Sequence, residues 1–182
     1  VAVYTNNAVP LPRTVVTRNQ ITGNAAADYG GGITSGWLYT YPSASRIEDN
    51  LIEQNNASEG GGASTDDTFA EIVNNTIVDN TAAGGAGVSI WDNPHAPNGL
   101  KLSNNLITHN VASLSSGGMY VHAAPNNPTI KKTDLFGNAP TQVAGSMTDA
   151  QVIGVNGNIS ADPLYVSRQM GNRNLRVQAA SP

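Results

Sequence analysis

Along most of the chain, apolar and polar residues alternate in runs of three to five positions rich in β-branched side chains, as in Ile72-Val73 and Thr76-Ile77-Val78. Alternation with period two predicts short strands that turn one side inward, rather than helices. The runs are punctuated in a fixed order. Ile72-Val73-Asn74-Asn75-Thr76-Ile77-Val78-Asp79-Asn80 leads through Gly84-Gly85-Ala86-Gly87 into a new alternating run, Val88-Ser89-Ile90-Trp91. The same order runs from Val15 to Asn24 ahead of Gly30-Gly31-Gly32, and from Ile47 to Asn55 ahead of Gly60-Gly61-Gly62. It returns from Leu102 to Asn110 ahead of Gly117-Gly118, and more weakly from Ile130 to Asn138.

The second Asn of each unit falls at positions 24, 55, 80, 110 and 138, giving steps of 31, 25, 30 and 28 residues. A unit of that length cannot bury a core alone and must stack on its neighbours, which is the mark of a solenoid. Three short strands per unit, separated by turns, make one coil of a parallel β-helix. Asn suits the corners because it tolerates positive φ better than other side chains except Gly. Stacked at roughly 4.8 Å, the same Asn of successive coils are placed to bond amide to amide. The expected ladder comprises Asn19, Asn24, Asn50, Asn55, Asn75, Asn80, Asn105, Asn110 and Asn138. The expectation is one all-β domain over residues 1–182, a single-stranded parallel β-helix of about five to six coils. Residues 1–138 form its regular coils and 139–182 a looser closing region.

Composition narrows the picture. Only 12% of residues are charged and the net charge is −4, so nothing favours a nucleic-acid partner. No stretch approaches the roughly 20 apolar residues of a membrane span. Without Cys there is neither a disulfide nor a Cys-based zinc site. Val1-Ala2-Val3-Tyr4 matches the run that follows the glycines in later units. The chain is therefore expected to be truncated at its N-terminus and to open inside a coil. Its exposed strand edge would be covered by upstream coils of the same polypeptide or by a stacked copy.

Beyond Asn138, segments around Val152-Ile153 and Asn158-Ile159 read as further strands. Asp162 to Val166 and Asn174 to Val177 read as a closing region that caps the stack. The Asn-cornered, Gly-turned units from Val15 to Asn138 resemble the right-handed parallel β-helix repeats of the pectate-lyase-like superfamily. The tail from Gly157 to Pro182 resembles the C-terminal part of bacterial choice-of-anchor-type extracellular β-helix proteins. The resemblance implies a right-handed helix in a secreted or cell-surface protein of bacterial type. It says little about function, because one fold carries many activities.

In that superfamily ligands commonly lie along the strand after the glycines and the loops beside it. Repeat register turns Val1, Ile33, Ala63, Val88 and Met119 inward there, and Ala2, Thr34, Ser64, Ser89 and Tyr120 outward. A second outward column runs near Tyr4, Gly36, Asp66, Trp91 and His122, with Trp37, Tyr39 and Tyr41 in the loop beyond. Tyr4, Trp37, Tyr39, Trp91, Tyr120 and His122 are thus the candidate ligand-binding residues, for a polysaccharide or cell-surface glycan. Sugar rings pack on aromatic faces while polar groups take the hydroxyls. The alternative is that these rings only cover the core.

Candidates for catalysis are Asp66, Asp67, Asp92, His95 and His122. Asp66 and Asp92 lie at nearly matching register, as a carboxylate pair or a calcium site would require. Asp28 and Glu59, each just ahead of a Gly triplet, are a second pair placed to share a cation. Calcium is the one cofactor these carboxylates leave open, and no other metal is indicated. The chain lacks the Asn-Thr-Asp, Gly-His-Gly and Arg-Ile-Lys motifs of polygalacturonase-like proteins. Arg46 and Lys101 are the only cations near this face. Two readings follow: a structural or glycan-binding module without catalysis of its own, or part of a polysaccharide lyase or glycoside hydrolase.

Overall fold

The computed structural model describes residues 1–3, 13–36, 44–66, 70–91, 99–122 and 127–182. Parallel strands stack into four sheets that wrap around one narrow core. Sheet 1 comprises Arg13–Thr17, Ala44–Glu48, Glu71–Val73, Lys101–Ser103 and Thr129–Lys131. Sheet 2 comprises Gln20–Thr22, Leu51–Glu53, Thr76–Val78, Leu106–Thr108 and Asp134–Phe136. Sheet 3 is short, with Asn56–Glu59, Thr81–Gly84 and Val111–Ala112. Sheet 4 comprises Ala2–Val3, Ile33–Gly36, Ala63–Asp66, Val88–Ile90, Met119–Val121 and Val143–Gly145. The fold is the expected all-β parallel helix, and the only helix among the described residues is Asp149–Val152.

The middle coils carry four strands rather than three. The fourth arises because the residues after the second ladder Asn also alternate, with Ala57, Ala82 and Ala112 turned inward. Only alanine-sized side chains occupy this narrow side. Elsewhere each inward position forms a column of larger aliphatics. Val16, Ile47, Ile72, Leu102 and Ile130 stack under sheet 1, and Ile21, Ile52, Ile77, Ile107 and Leu135 under sheet 2. Each fully buried Ile or Leu contributes roughly 1.5–3 kcal/mol. The glycines ahead of sheet 4 follow from close approach. A Cβ on Gly62 would lie 2.6 Å from the Gly87 carbonyl oxygen and 2.8 Å from Ile77 Cγ2.

Two asparagine ladders run along the corners. In the first, Asn19, Asn50, Asn75 and Asn105 are linked, each Oδ1 accepting the backbone N–H and the Nδ2 of the Asn one coil earlier at 3.0–3.1 Å. In the second, Asn24, Asn55, Asn80, Asn110 and Asn138 repeat the arrangement at 2.9–3.0 Å. Gln142 Oε1 then takes the place of the next Asn, accepting from Asn138 Nδ2 at 2.6 Å. The positive-φ expectation needs correction, because the left-handed residue at each corner is the one before the ladder Asn. These are Arg18, Asp49, Asn74, Asn104 and Lys132 at one corner, and Gly23, Gln54, Asp79, His109 and Gly137 at the other, all with φ between 48° and 67°. The turn and the ladder are thus separate jobs given to adjacent residues.

The first ladder changes at Thr133, whose hydroxyl donates to the Lys131 carbonyl at 3.1 Å. Asn158, read from the sequence only as part of a strand, resumes it by accepting from the Thr133 N–H at 3.0 Å and donating to the Ile130 carbonyl at 3.0 Å. An Asn at 133 would give Asn105 the acceptor that Asn105 itself gives Asn75. Thr133→Asn is therefore expected to raise stability by about 1–2 kcal/mol, read as a higher denaturation midpoint in urea with an unchanged slope. A fall in midpoint would show that the site cannot take the carboxamide.

The tail departs from expectation in two ways. Val152 lies in the short helix and not in a strand, because Thr148 and Gln151 form a capping box. The stack end is covered by residues 146–160, with Val152 buried and Ile159 bridging to Asp134. The antiparallel hairpin of Tyr165–Ser167 and Asn174–Val177 lies along the outer side of sheet 2 instead of over the end. No helix among the described residues is long and apolar enough to cross a membrane.

Candidate functional site

Strand register fixes the outer face of sheet 4. Thr34, Ser64, Ser89 and Tyr120 are aligned across four coils, flanked by Ala2 and Ala144. Gly36 aligns with Asp66 in the next column. That column continues through Trp91, whose backbone N–H donates to the Thr65 carbonyl at 2.7 Å, and His122, whose backbone N–H donates to the Ile90 carbonyl at 2.9 Å. Adjacent coils therefore bring the Trp91 and His122 rings together, stacked at 3.4 Å between centroids and 15° between planes. Tyr120 meets His122 edge-on at 4.5 Å, and Tyr29 meets Trp91 edge-on at 6.0 Å.

Glu59 joins this row from an earlier coil. Its carboxylate accepts from His122 Nε2 at 2.9 Å and from the Ser89 hydroxyl at 3.3 Å. In the next coil its register partner is Gly84, so no side chain blocks its path across the corner. Glu59 aligns with Tyr29, not with Asp28, and Asp28 is exposed. The expectation that Asp28 and Glu59 share a cation therefore fails. The sequence signal for Glu59 was present but indirect: a carboxylate ahead of one Gly triplet, with a Gly at the equivalent place one coil later.

Paired with a carboxylate, His122 carries its proton on Nε2 and keeps Nδ1 as its basic nitrogen. Burial lowers its pKa, outweighing the upward pull of Glu59. His122 is thus held neutral near pH 7. Ser89, His122 and Glu59 do not make a nucleophilic triad. Serine and carboxylate meet the same ring nitrogen, and Ser89 is fully buried.

On the side of Trp91 toward the earlier coils, a cavity of about 60 Å³ is lined by Tyr29, Thr34, Ser35, Gly36, Ser64, Asp66 and Trp91. At Gly36 the strands pass too closely for a side chain, since a Cβ there would lie 2.6 Å from the Asp66 backbone. Asp66 has Trp91 as its register neighbour in the next coil. Tyr4, Trp37, Tyr39, Tyr41, Asp67, Asp92 and His95 lie outside the described residues. Arg46 and Lys101 belong to sheet 1, where Arg46 pairs with Glu48 and Glu71, and Lys101 with Glu71 at 3.8 Å. Among the described residues no cluster of three or more His, Cys, Asp or Glu is arranged to hold a metal.

A stacked parallel solenoid with this repeat is what the family match describes: residues 2–158 match the model of the right handed beta helix region. The chain belongs to that family, and its helix is right-handed. Neither the curated proteins nor the solved structures contain a match to it.

Proposed function

We propose that the chain is a β-helix module that binds a glycan on the outer face of sheet 4 and does no chemistry on it. In this reading it belongs to a secreted or cell-surface protein of the pectate-lyase-like superfamily. The observation that carries the reading is the row Tyr29, Trp91, His122 and Tyr120 beside a cavity edged by Thr34, Ser64 and Asp66. Rings for the apolar side of a pyranose and hydroxyl and carboxylate groups for its polar rim are what sugar recognition requires.

A recognised oligosaccharide is expected to quench tryptophan fluorescence, with the response abolished in Trp91→Ala. Loss of the half-buried ring and its stack on His122 costs about 1–2 kcal/mol. A loss of roughly 3–5 kcal/mol, typical of a core aromatic, with no response to any sugar in a broad panel, would overturn the reading.

One observation favours the second reading, a polysaccharide lyase or glycoside hydrolase. Glu59 orients His122 as a carboxylate orients a general base. Reducing-end or unsaturated-product release from pectin, alginate or xylan, lost in His122→Gln, would establish it.

A further inference from the structure

Among the described residues, three buried side-chain polar atoms have no hydrogen-bond partner: Trp91 Nε1, His109 Nδ1 and Ser115 Oγ. Only the first belongs to a wall of the cavity on sheet 4. The indole is fixed there. His122 lies against one face at 3.4 Å, Tyr29 meets it edge-on at 6.0 Å, and its own backbone N–H is bonded to the Thr65 carbonyl. A buried N–H without an acceptor costs about 1–3 kcal/mol, and folded chains leave few of them. At the wall of a cavity it is a donor in want of an acceptor. Thr34, on another wall, is the reverse. Its hydroxyl donates to the Tyr29 carbonyl at 2.9 Å, so toward a ligand it can only accept. A cavity of about 60 Å³ has room for a few waters or one small substituent, not for a sugar ring.

Resting on the glycan-binding reading, we propose that the ligand is an oligosaccharide of N-acetylated amino sugars, with one acetamido group seated in this cavity. Its carbonyl accepts from Trp91 Nε1, its N–H donates to the Thr34 hydroxyl, and its methyl packs on the rings of Trp91 and Tyr29. The pyranose stays outside, against the aromatic row. Other common substituents match the walls less well. A free ammonium group has donors only and leaves the indole N–H unpaired. A carboxylate takes that N–H but has no proton for Thr34. A lone hydroxyl can do both, yet it is too small to fill the space and brings no apolar part for the rings.

The test is calorimetric titration of the whole chain with oligomers of N-acetylglucosamine and N-acetylgalactosamine, their deacetylated counterparts, cello-oligomers and galacturonate oligomers. The expected result is acetylated oligomers binding about tenfold or more tighter than any of the others. In Trp91→Phe a ring still faces His122 but the N–H is gone, and the acetylated oligomers should fall to the affinity of the deacetylated ones. Should that variant fail to fold, the indole N–H resonance of Trp91 in the unmutated chain carries the test. It should move on adding acetylated oligomers and stay in place with cello-oligomers. Equal binding of acetylated and deacetylated oligomers would overturn the inference while leaving glycan binding standing. So would a preference for acetylated oligomers that Trp91→Phe left intact, or an indole resonance that none of them moved. If no sugar in the panel bound, the glycan reading itself would fall.

Discussion

Asn80→Leu is expected to lower the stability of the stack by roughly 3–5 kcal/mol. Asn80 is fully buried. Its Oδ1 accepts the Asn55 N–H at 2.9 Å and Asn55 Nδ2 at 3.0 Å, while its Nδ2 donates to the Ile52 carbonyl and to Asn110 Oδ1. Leucine has similar bulk but removes all four bonds. The Asn55 N–H and the Ile52 carbonyl are then left buried without these partners, at about 1–3 kcal/mol each. Urea denaturation should show a lower midpoint with the slope retained. Asn74→Gly provides the contrast. Asn74 is exposed with φ 55°, a conformation glycine adopts freely, so stability should move by no more than about 0.5 kcal/mol. Similar losses in both variants would show that the turn and the ladder are not separate functions.

That contrast marks where the sequence could be read and where it could not. Register along sheet 4 was legible because close-packed glycines fix the start of each strand, so counting from them gives the outward columns of Ser64, Ser89, Tyr120, Asp66 and Trp91. The division of labour between Asn74 and Asn75 was not legible. Both are Asn, and either suits a corner by propensity alone. The fourth strand was hidden because Ala57 and Ala82 carry too little hydrophobic signal to mark an inward face. Glu59 was missed as a partner of His122 because the contact spans 63 residues and depends on the side chain absent from Gly84. The placement of the hairpin had no periodic signal at all, since it rests on a few polar pairs formed across about a hundred residues.

Those pairs give the second large effect. Arg173→Met is expected to release the hairpin from sheet 2 at a cost of about 3 kcal/mol, because it strips a buried carboxylate of its cation. Arg173 pairs through Nε with Glu53, whose side chain is only 3% exposed, and through Nη2 with Asp79 at 2.8 Å. Burial pulls the Arg173 pKa down, but hydrogen bonds to Asp79 and Glu53 more than compensate and leave it raised. Arg168 also reaches Asp79 at 2.8 Å but is 39% exposed, so Arg168→Met should cost under about 1 kcal/mol. Hydrogen exchange provides the readout. Amides of 165–177 should exchange much faster in Arg173→Met, while those of Thr76–Val78 and Leu106–Thr108 stay protected. Pairing the change with Glu53→Leu should recover most of the loss, because the cost lies in the stranded charge and not in lost packing. Unchanged exchange across the hairpin in Arg173→Met would show that Tyr165, bonded to Thr108 at 3.0 Å, holds the strap by itself.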